Sequence, residues 1–219
     1  MERPYIILHM LISIDGKITG EYMNTKTAEI LCEEYYRINR EYKADAFLCG
    51  RITMEGSFTN YKKPNLSPYK GVKVKREDKV SKIHDYFAVS FDPKGKVGWY
   101  SSEIKDEDPG YDNAHIIEVL TEKVTDEYLA YLNDLGISYI FCGKEEIDVK
   151  VACQKLYSLF GIKKLAVEGG GVTDGAFLES GIIDELSLVV VPIVDGDKSG
   201  IDLFANKKRD RLQAKQKSV

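Results

Sequence analysis

The sequence predicts a single-domain α/β fold, and three observations carry that prediction. Two helical stretches alternate with two apolar strands in the second half, Asp126 to Leu135, Ile137 to Cys142, Val149 to Phe160 and Ile162 to Glu168. Short connections in that order are the mark of parallel pairing through right-handed crossovers. The last of these strands runs into Val167-Glu168-Gly169-Gly170-Gly171-Val172-Thr173-Asp174-Gly175-Ala176-Phe177-Leu178, where three glycines precede a helix start. Finally, 219 residues with 43% apolar side chains can bury a full-sized core, and no shift in composition marks a linker.

The elements follow in order. Tyr5 to Ser13 is rich in Ile, Leu and Met and reads as a buried strand ended by the turn pair Asp15-Gly16. Between Thr25 and Lys43, Ala28, Leu31, Cys32, Tyr35, Tyr36, Ile38 and Tyr42 recur near helical spacing. Ala44 to Cys49 is a short strand that stops at Gly50, with a helix or turn after it. The stretch 56–82 holds Pro64, Pro68, Gly71 and many lysines and is expected to be a long loop. Tyr86 to Ser90 and Ala114 to Leu120 are strands, and the segment between them has room for a short hairpin around Val97 to Tyr100. Gly136 and Gly161 stop the two later helices. The helix after the glycines ends at Ser180, and Glu185 to Val194 is a hydrophobic strand whose Pro192 puts its end near an edge or bulge. The expected domain is 1–204, and 205–219 is a polar tail or short helix.

Composition excludes several classes. A formal net charge of −4 argues against a nucleic-acid partner, since the basic stretches Lys70 to Lys82 and Lys207 to Lys217 are interrupted by acids or glutamines. Four cysteines without a CxxC and three scattered histidines complete no metal-ligand spacing, so reduced thiols and no metal are expected. No window is apolar for long enough to span a membrane, and the expected location is the cytoplasm.

The glycines point to an anion. At the carboxyl end of a strand, bare backbone followed by a helix start presents free N–H groups and the positive end of a dipole. The spacing GGGxxxG is neither the dinucleotide GxGxxG nor a phosphate loop, which would need a following lysine. Taken alone, the glycines fit a plain turn equally well.

Together with Ser13-Ile14-Asp15-Gly16-Lys17-Ile18, Gly50-Arg51-Ile52-Thr53 and the distal Phe177 to Leu186, this run resembles the C-terminal reductase domain of the bifunctional riboflavin-biosynthesis deaminase-reductase. The resemblance covers about Pro4 to Phe204 and does not include a deaminase. It implies a dihydrofolate-reductase-like fold, three layers α/β/α with a mixed, mostly parallel central sheet. It also implies a homodimeric, NADPH-dependent reductase acting on the ribosyl C1 of 5-amino-6-(5-phosphoribosylamino)uracil, a pyrimidine-like small molecule.

By that resemblance Gly50, Arg51, Thr53, Ser57, Gly169, Gly170, Gly171, Val172 and Thr173 hold the cofactor. Arg51 stands where dihydrofolate reductases hold the 2′-phosphate, which favours NADPH over NADH. Glu168 and Asp15 are the candidate catalytic carboxylates and, with Lys17 and Leu66, the candidate substrate contacts. Where the family places a phosphate-binding arginine, Tyr69 stands after an insertion, and Lys70, Arg37 and Arg40 are the remaining candidates for that charge. Two other readings stay open, a dihydrofolate- or pterin-type reductase on the same fold and an NADPH-binding sensor without turnover.

Overall fold

Seven strands form one sheet in the computed structural model, which describes residues 2–81 and 84–205. They are β1 (Tyr5–Ser13), β2 (Ala46–Gly50), β3 (Phe87–Phe91), β4 (His115–Leu120), β5 (Ser138–Phe141), β6 (Lys164–Val167) and β7 (Glu185–Val191), in spatial order β5-β4-β3-β2-β6-β1-β7. The pairings between these strands run parallel. Antiparallel contact is confined to isolated bridges such as Lys79 with Tyr139 and Lys17 with Asp202.

Helices α1 (Lys26–Tyr42), α2 (Arg51–Phe58), α3 (Asp126–Leu135), α4 (Val149–Phe160) and α5 (Gly171–Ser180) cover both faces. Their ends are set by local chemistry. The hydroxyls of Thr25 and Thr125 accept from Ala28 N and Tyr128 N, and the Asp148 carboxylate accepts from Lys150 N and Val151 N. Gly136 and Gly161 close α3 and α4 in the left-handed region, both at φ 72°.

Side-chain alternation then sorts the two cores. Leu8, Leu48, Val89, Val119 and Val167 point to the face covered by α4 and α5, where Leu156 and Phe177 meet them. Phe47, Cys49, Ala88 and Ala166 point to the other face, under Met54 of α2 and Leu132 of α3. On that same face α1 packs Ala28 against Leu11 and Val189. The result is three layers.

The expected hairpin around Val97 to Tyr100 is absent. Residues 92–113 contain no strand beyond an isolated bridge at Glu103, because their backbone is satisfied by side chains instead. The Asp92 carboxylate accepts from Lys96 N and Val97 N, while Tyr128 and Tyr131 of α3 donate to the carbonyls of Val97 and Trp99 at 2.9 and 2.6 Å. The loop 56–82 holds one 3-10 turn, Ser67–Tyr69. Strand β7 ends just before Pro192 and is an edge of the sheet. The polar tail lies outside the described residues from 206 onward.

The chain order positions the site. The path runs outward from β2 through β5, returns to place β6 between β2 and β1, and finishes at β7 on the far side. Ligands in open α/β sheets bind where strand order reverses, outside the carboxyl ends of the strands. Here those ends carry Ser13, Gly50 and Glu168.

Candidate functional site

Two hydrogen bonds fix the glycine turn at the mouth of the sheet. Glu168 N donates to Leu48 O at 2.8 Å and Gly50 N donates to Gly169 O at 2.7 Å, so the turn after β6 is stitched to the turn after β2. Gly169 takes φ +90° and the Gly169–Gly170 peptide is cis. Packing requires glycine at several of these positions. A Cβ on Gly50 would collide with the Thr173 hydroxyl, one on Gly169 with Met10, and one on Gly171 with the Asp202 carbonyl. Gly170 differs: a Cβ there would meet only ordinary van der Waals contacts, 3.6 Å from Thr53 Oγ1 and 3.7 Å from Ile18 Cδ1. The Gly170 carbonyl accepts from Thr173 N and Asp174 N, which leaves the Gly171 and Val172 N–H groups in the first turn of α5 without a helical partner. With Val172 exposed and Thr173 buried, these residues form a cradle suited to the diphosphate of a dinucleotide.

Glu168 lies beside that cradle in a cavity of about 650 Å³, shared with Tyr35, Cys49, Thr53, Ser57 and Tyr111. Tyr35 of α1 and Tyr111 of the loop before β4 both donate to Glu168 Oε2, at 3.0 and 2.7 Å. Oε1 is buried and has no partner among the described residues. Burial pushes the Glu168 carboxyl up to about 7, against the pull of the Tyr111 and Tyr35 hydrogen bonds. The result is a group able both to hold and to release a proton near neutral pH.

Tyr35 is itself held from behind. Its ring stacks on His9 with centroids 4.3 Å apart and planes 7° from parallel. His9 Nε2 lies 3.0 Å from the Tyr35 carbonyl and Nδ1 lies 2.9 Å from Ser187 Oγ. Burial lowers the pKa of His9, which is therefore neutral, donating from Nε2 and accepting at Nδ1.

The other candidate residues are placed as follows. Thr53 and Ser57 line the Glu168 cavity, and Thr53 faces Gly170. Arg51 opens α2 and donates from Nη1 to Glu55 Oε2 at 2.5 Å, while Lys63 occupies Glu55 Oε1 at 2.6 Å. Asp15 is exposed and outside that cavity; it accepts from Ser13 Oγ, Asp195 N and Gly196 N, which hold its pKa at about 2. Such a carboxylate has no proton to give, so its geometry is that of a turn brace rather than an acid. Lys17 donates to Asp202 Oδ1 at 2.6 Å and to the Gly200 carbonyl. Leu66 is partly buried against the core cluster that includes Leu132 of α3 and does not line the cavity.

Sequence reasoning missed Tyr35, Tyr111 and Cys49 as cavity residues, and it missed Asp174. Tyr35 had a signal in the apolar periodicity of α1, but Tyr111 had none. Asp174 is fully buried in the first turn of α5, and neither carboxylate oxygen has a partner. Burial alone raises its pKa to about 8. On the far side of the same helix start lies a second cavity of about 480 Å³, lined by Phe91, Lys94, Val149, Val172 and Ala176. The glycine turn thus sits between two hollows.

The family model described as the RibD C-terminal domain matches residues 4–219. The chain belongs to that family. Membership makes it a reductase domain of the riboflavin-biosynthesis type, an oxidoreductase on the dihydrofolate-reductase-like fold. It is 28% identical over 204 residues to the 2,5-diamino-6-ribosylamino-4(3H)-pyrimidinone 5′-phosphate reductase of Aquifex aeolicus, covering 91% of this chain and 81% of the relative. To the protein of the same name from Methanothermobacter thermautotrophicus it is 25% identical over 221 residues, covering 96% and 92%.

Among solved structures, a pyrimidine reductase-like protein from Corynebacterium diphtheriae superposes with a TM-score of 0.64 at 18% identity, over 97% of this chain and 84% of that one. Acinetobacter baumannii RibD gives 0.61 at 20% identity over 97% of this chain. The chain spans about half of that RibD chain, 52% of its length. No helix among the described residues is long and apolar enough to cross a membrane.

Proposed function

We propose that this RibD-type domain is an NADPH-dependent reductase of a 5-amino-6-ribosylamino-pyrimidine, the core shared by the compound that the sequence resemblance implies and by the one in the relatives' names. The observation that carries the proposal is the buried, unpartnered Glu168 Oε1 in a cavity that adjoins a bare-backbone cradle. The cradle and the acid are the two parts that a dinucleotide-dependent reduction requires.

The residues divide the work. The Gly171 and Val172 N–H groups, with the bare Gly170 backbone and the Thr53 and Ser57 hydroxyls, would hold the diphosphate. The second hollow at Val172 would receive the adenosine half. Arg51 engages Glu55 through Nη1; Nε and Nη2 are left to meet a 2′-phosphate, which supports NADPH over NADH. The bound nicotinamide supplies the hydride.

Reducing the ring-opened ribosylamine turns its C1=N bond into CH–NH, and the nitrogen needs one proton. Glu168, near half-protonated at neutral pH, can give that proton from Oε1. Its deprotonated form accepts from the amino groups of the pyrimidine. Tyr35 and Tyr111 fix the carboxyl through Oε2, so that Oε1 stays free for the substrate.

The proposal includes a homodimer and a cytoplasmic location. Leu186, Leu188 and Val190 on the edge strand β7 are 51%, 37% and 47% exposed, an apolar row that a second subunit would cover. Four free cysteines, three of them buried, fit a reducing compartment. The test is incubation with NADPH and the aminopyrimidine ribosyl compound, with mass spectrometry for a gain of two hydrogens. Absence of that gain under saturating NADPH would refute the reading.

A further inference from the structure

His9 is a fully buried imidazole in the middle of β1, with Ile7, Leu8, Met10 and Leu11 around it in the strand. Burying a polar ring costs free energy unless its nitrogens find partners, and both do. The parallel register of β1 and β7 sets Ser187 beside His9, with Oγ 2.9 Å from Nδ1. Nε2 reaches the Tyr35 carbonyl of α1 at 3.0 Å. A carbonyl only accepts, so Nε2 carries the hydrogen, and in the neutral ring Nδ1 accepts from the Ser187 hydroxyl.

The stack and the hydrogen bond converge on one residue of α1. The imidazole lies against the Tyr35 ring while Nε2 holds the Tyr35 backbone, so ring and backbone are fixed by a single side chain. Tyr42 meets the same imidazole edge-on, with centroids 5.7 Å apart, but its hydroxyl donates to Glu185. The Tyr35 hydroxyl donates to Glu168 Oε2 at 3.0 Å, a longer bond than the 2.7 Å from Tyr111 and the more dependent of the two on where its ring is held. Among the described residues Glu168 is anchored through Oε2, so the direction of the unpartnered Oε1 follows from that anchor.

We propose that His9 is a positioning residue for the reduction: through Tyr35 it keeps the Glu168 carboxyl anchored at Oε2, with Oε1 turned to the substrate. This rests on the reductase reading above and adds to it a residue that does not line the cavity. Ser187 selects the tautomer. Without its hydroxyl the ring can carry its hydrogen on Nδ1, and a bare Nε2 lone pair would then face the Tyr35 carbonyl. The ionisable groups that share the cavity with Glu168 are Glu33, Tyr35 and Tyr36 of α1, Cys49 of β2, and Asp106, Glu107, Asp108 and Tyr111 of the loop before β4, while Tyr86 lies within reach of its charge. A change at His9 leaves all of these in place, so its effect on Glu168 reports the link through Tyr35.

The test follows the Glu168 carboxyl directly, by isotope-edited NMR titration of its carboxyl carbon in the unliganded protein, beside the pH profile of kcat/KM with NADPH and the aminopyrimidine ribosyl compound. His9→Phe keeps a ring against Tyr35 and loses the hydrogen bond; the Glu168 pKa and the alkaline limb should rise together by roughly half a unit or more, and kcat should fall about tenfold, with NADPH affinity unchanged. His9→Gln, which can still donate to the Tyr35 carbonyl, should recover part of both. On a Tyr35→Phe background His9→Phe should add no further shift. Tyr42→Phe should leave the titration and kcat unmoved. Should His9→Phe fail to fold, Ser187→Ala makes the same comparison with the histidine in place and should give a smaller shift in the same direction. An unmoved Glu168 titration in the folded variants, or an equal shift with and without the Tyr35 hydroxyl, would overturn the inference. The expected shift in a protein that does not reduce the aminopyrimidine compound would overturn the reductase reading and leave the coupling of His9 to Glu168 standing.

Discussion

Replacing Asp174 with asparagine should flatten the dependence of stability on pH. The carboxyl lies in the first turn of α5 with no accessible surface and no partner for either oxygen, and burial raises its pKa from 3.8 to about 8. The helix start opposes this, since a negative charge there gains roughly 0.3–1 kcal/mol. Desolvation is the larger effect. The folded state therefore holds a proton that the unfolded chain gives up between pH 3.8 and 8. In that window ν_N exceeds ν_U, so stability falls as pH rises, and the loss is complete only above the folded pKa.

At about 1.4 kcal/mol per pH unit, the roughly three units between the unfolded pKa and pH 7 set a ceiling of about 4 kcal/mol. Relaxation and water entry reduce this to about 2–3 kcal/mol. Urea unfolding of wild type and Asp174→Asn at half-unit steps from pH 5 to 8 isolates the contribution. Glu168 adds a slope of its own in both proteins and cancels in the difference. Parallel curves for the two proteins, or a wild type that gains stability relative to the variant as pH rises, would refute the reasoning.

Other outcomes follow from the same geometry. Glu168→Gln should lower turnover by about 100-fold or more while NADPH binding, followed by fluorescence, is retained, because the cradle is untouched. Tyr111→Phe removes the 2.7 Å donor to Oε2 and should raise the Glu168 pKa further, moving the alkaline limb of the kcat/KM profile to higher pH; an unmoved limb would separate Glu168 from the proton step. Gly171→Ala drives a methyl group into the Asp202 carbonyl and should cost about 1–3 kcal/mol, read as a lower midpoint in thermal unfolding. Arg51→Ala should weaken NADPH binding about tenfold with little effect on NADH, since only the former carries the 2′-phosphate.

Legibility in the sequence tracked the range of the interactions involved. Helices α3 and α4 begin and end where expected because Thr125, Gly136, Asp148 and Gly161 punctuate them within a turn of their ends. The glycine turn was equally readable, its requirement being one of bare backbone. The stretch Val97 to Tyr100 misled because its alternation matches a strand, while its partners, Tyr128, Tyr131 and Glu118, arrive from elements far along the chain. The site divides the same way. Glu168 sits in a local motif, whereas Tyr111 reaches it across 57 residues and Tyr35 across 133. The insertion after Thr53 is tied to α3 by contacts distant in sequence, Tyr69 with Asp134 and Tyr131, Arg76 with Asp126 and Lys79 with Asn133, and no local pattern announces them.

The late arrival of β6 has a consequence for how the molecule is made. Strands β1 and β2 never touch each other; each is bonded to β6, which occupies the slot between them. Until residues 164–167 emerge during synthesis, the inner edge of β2 has nothing to bind and β1, whose partners β6 and β7 both come later, belongs to no sheet, so the growing polypeptide holds a half-sheet and a stray strand awaiting a keystone. A fragment ending before that strand should therefore be prey to proteases and to self-association.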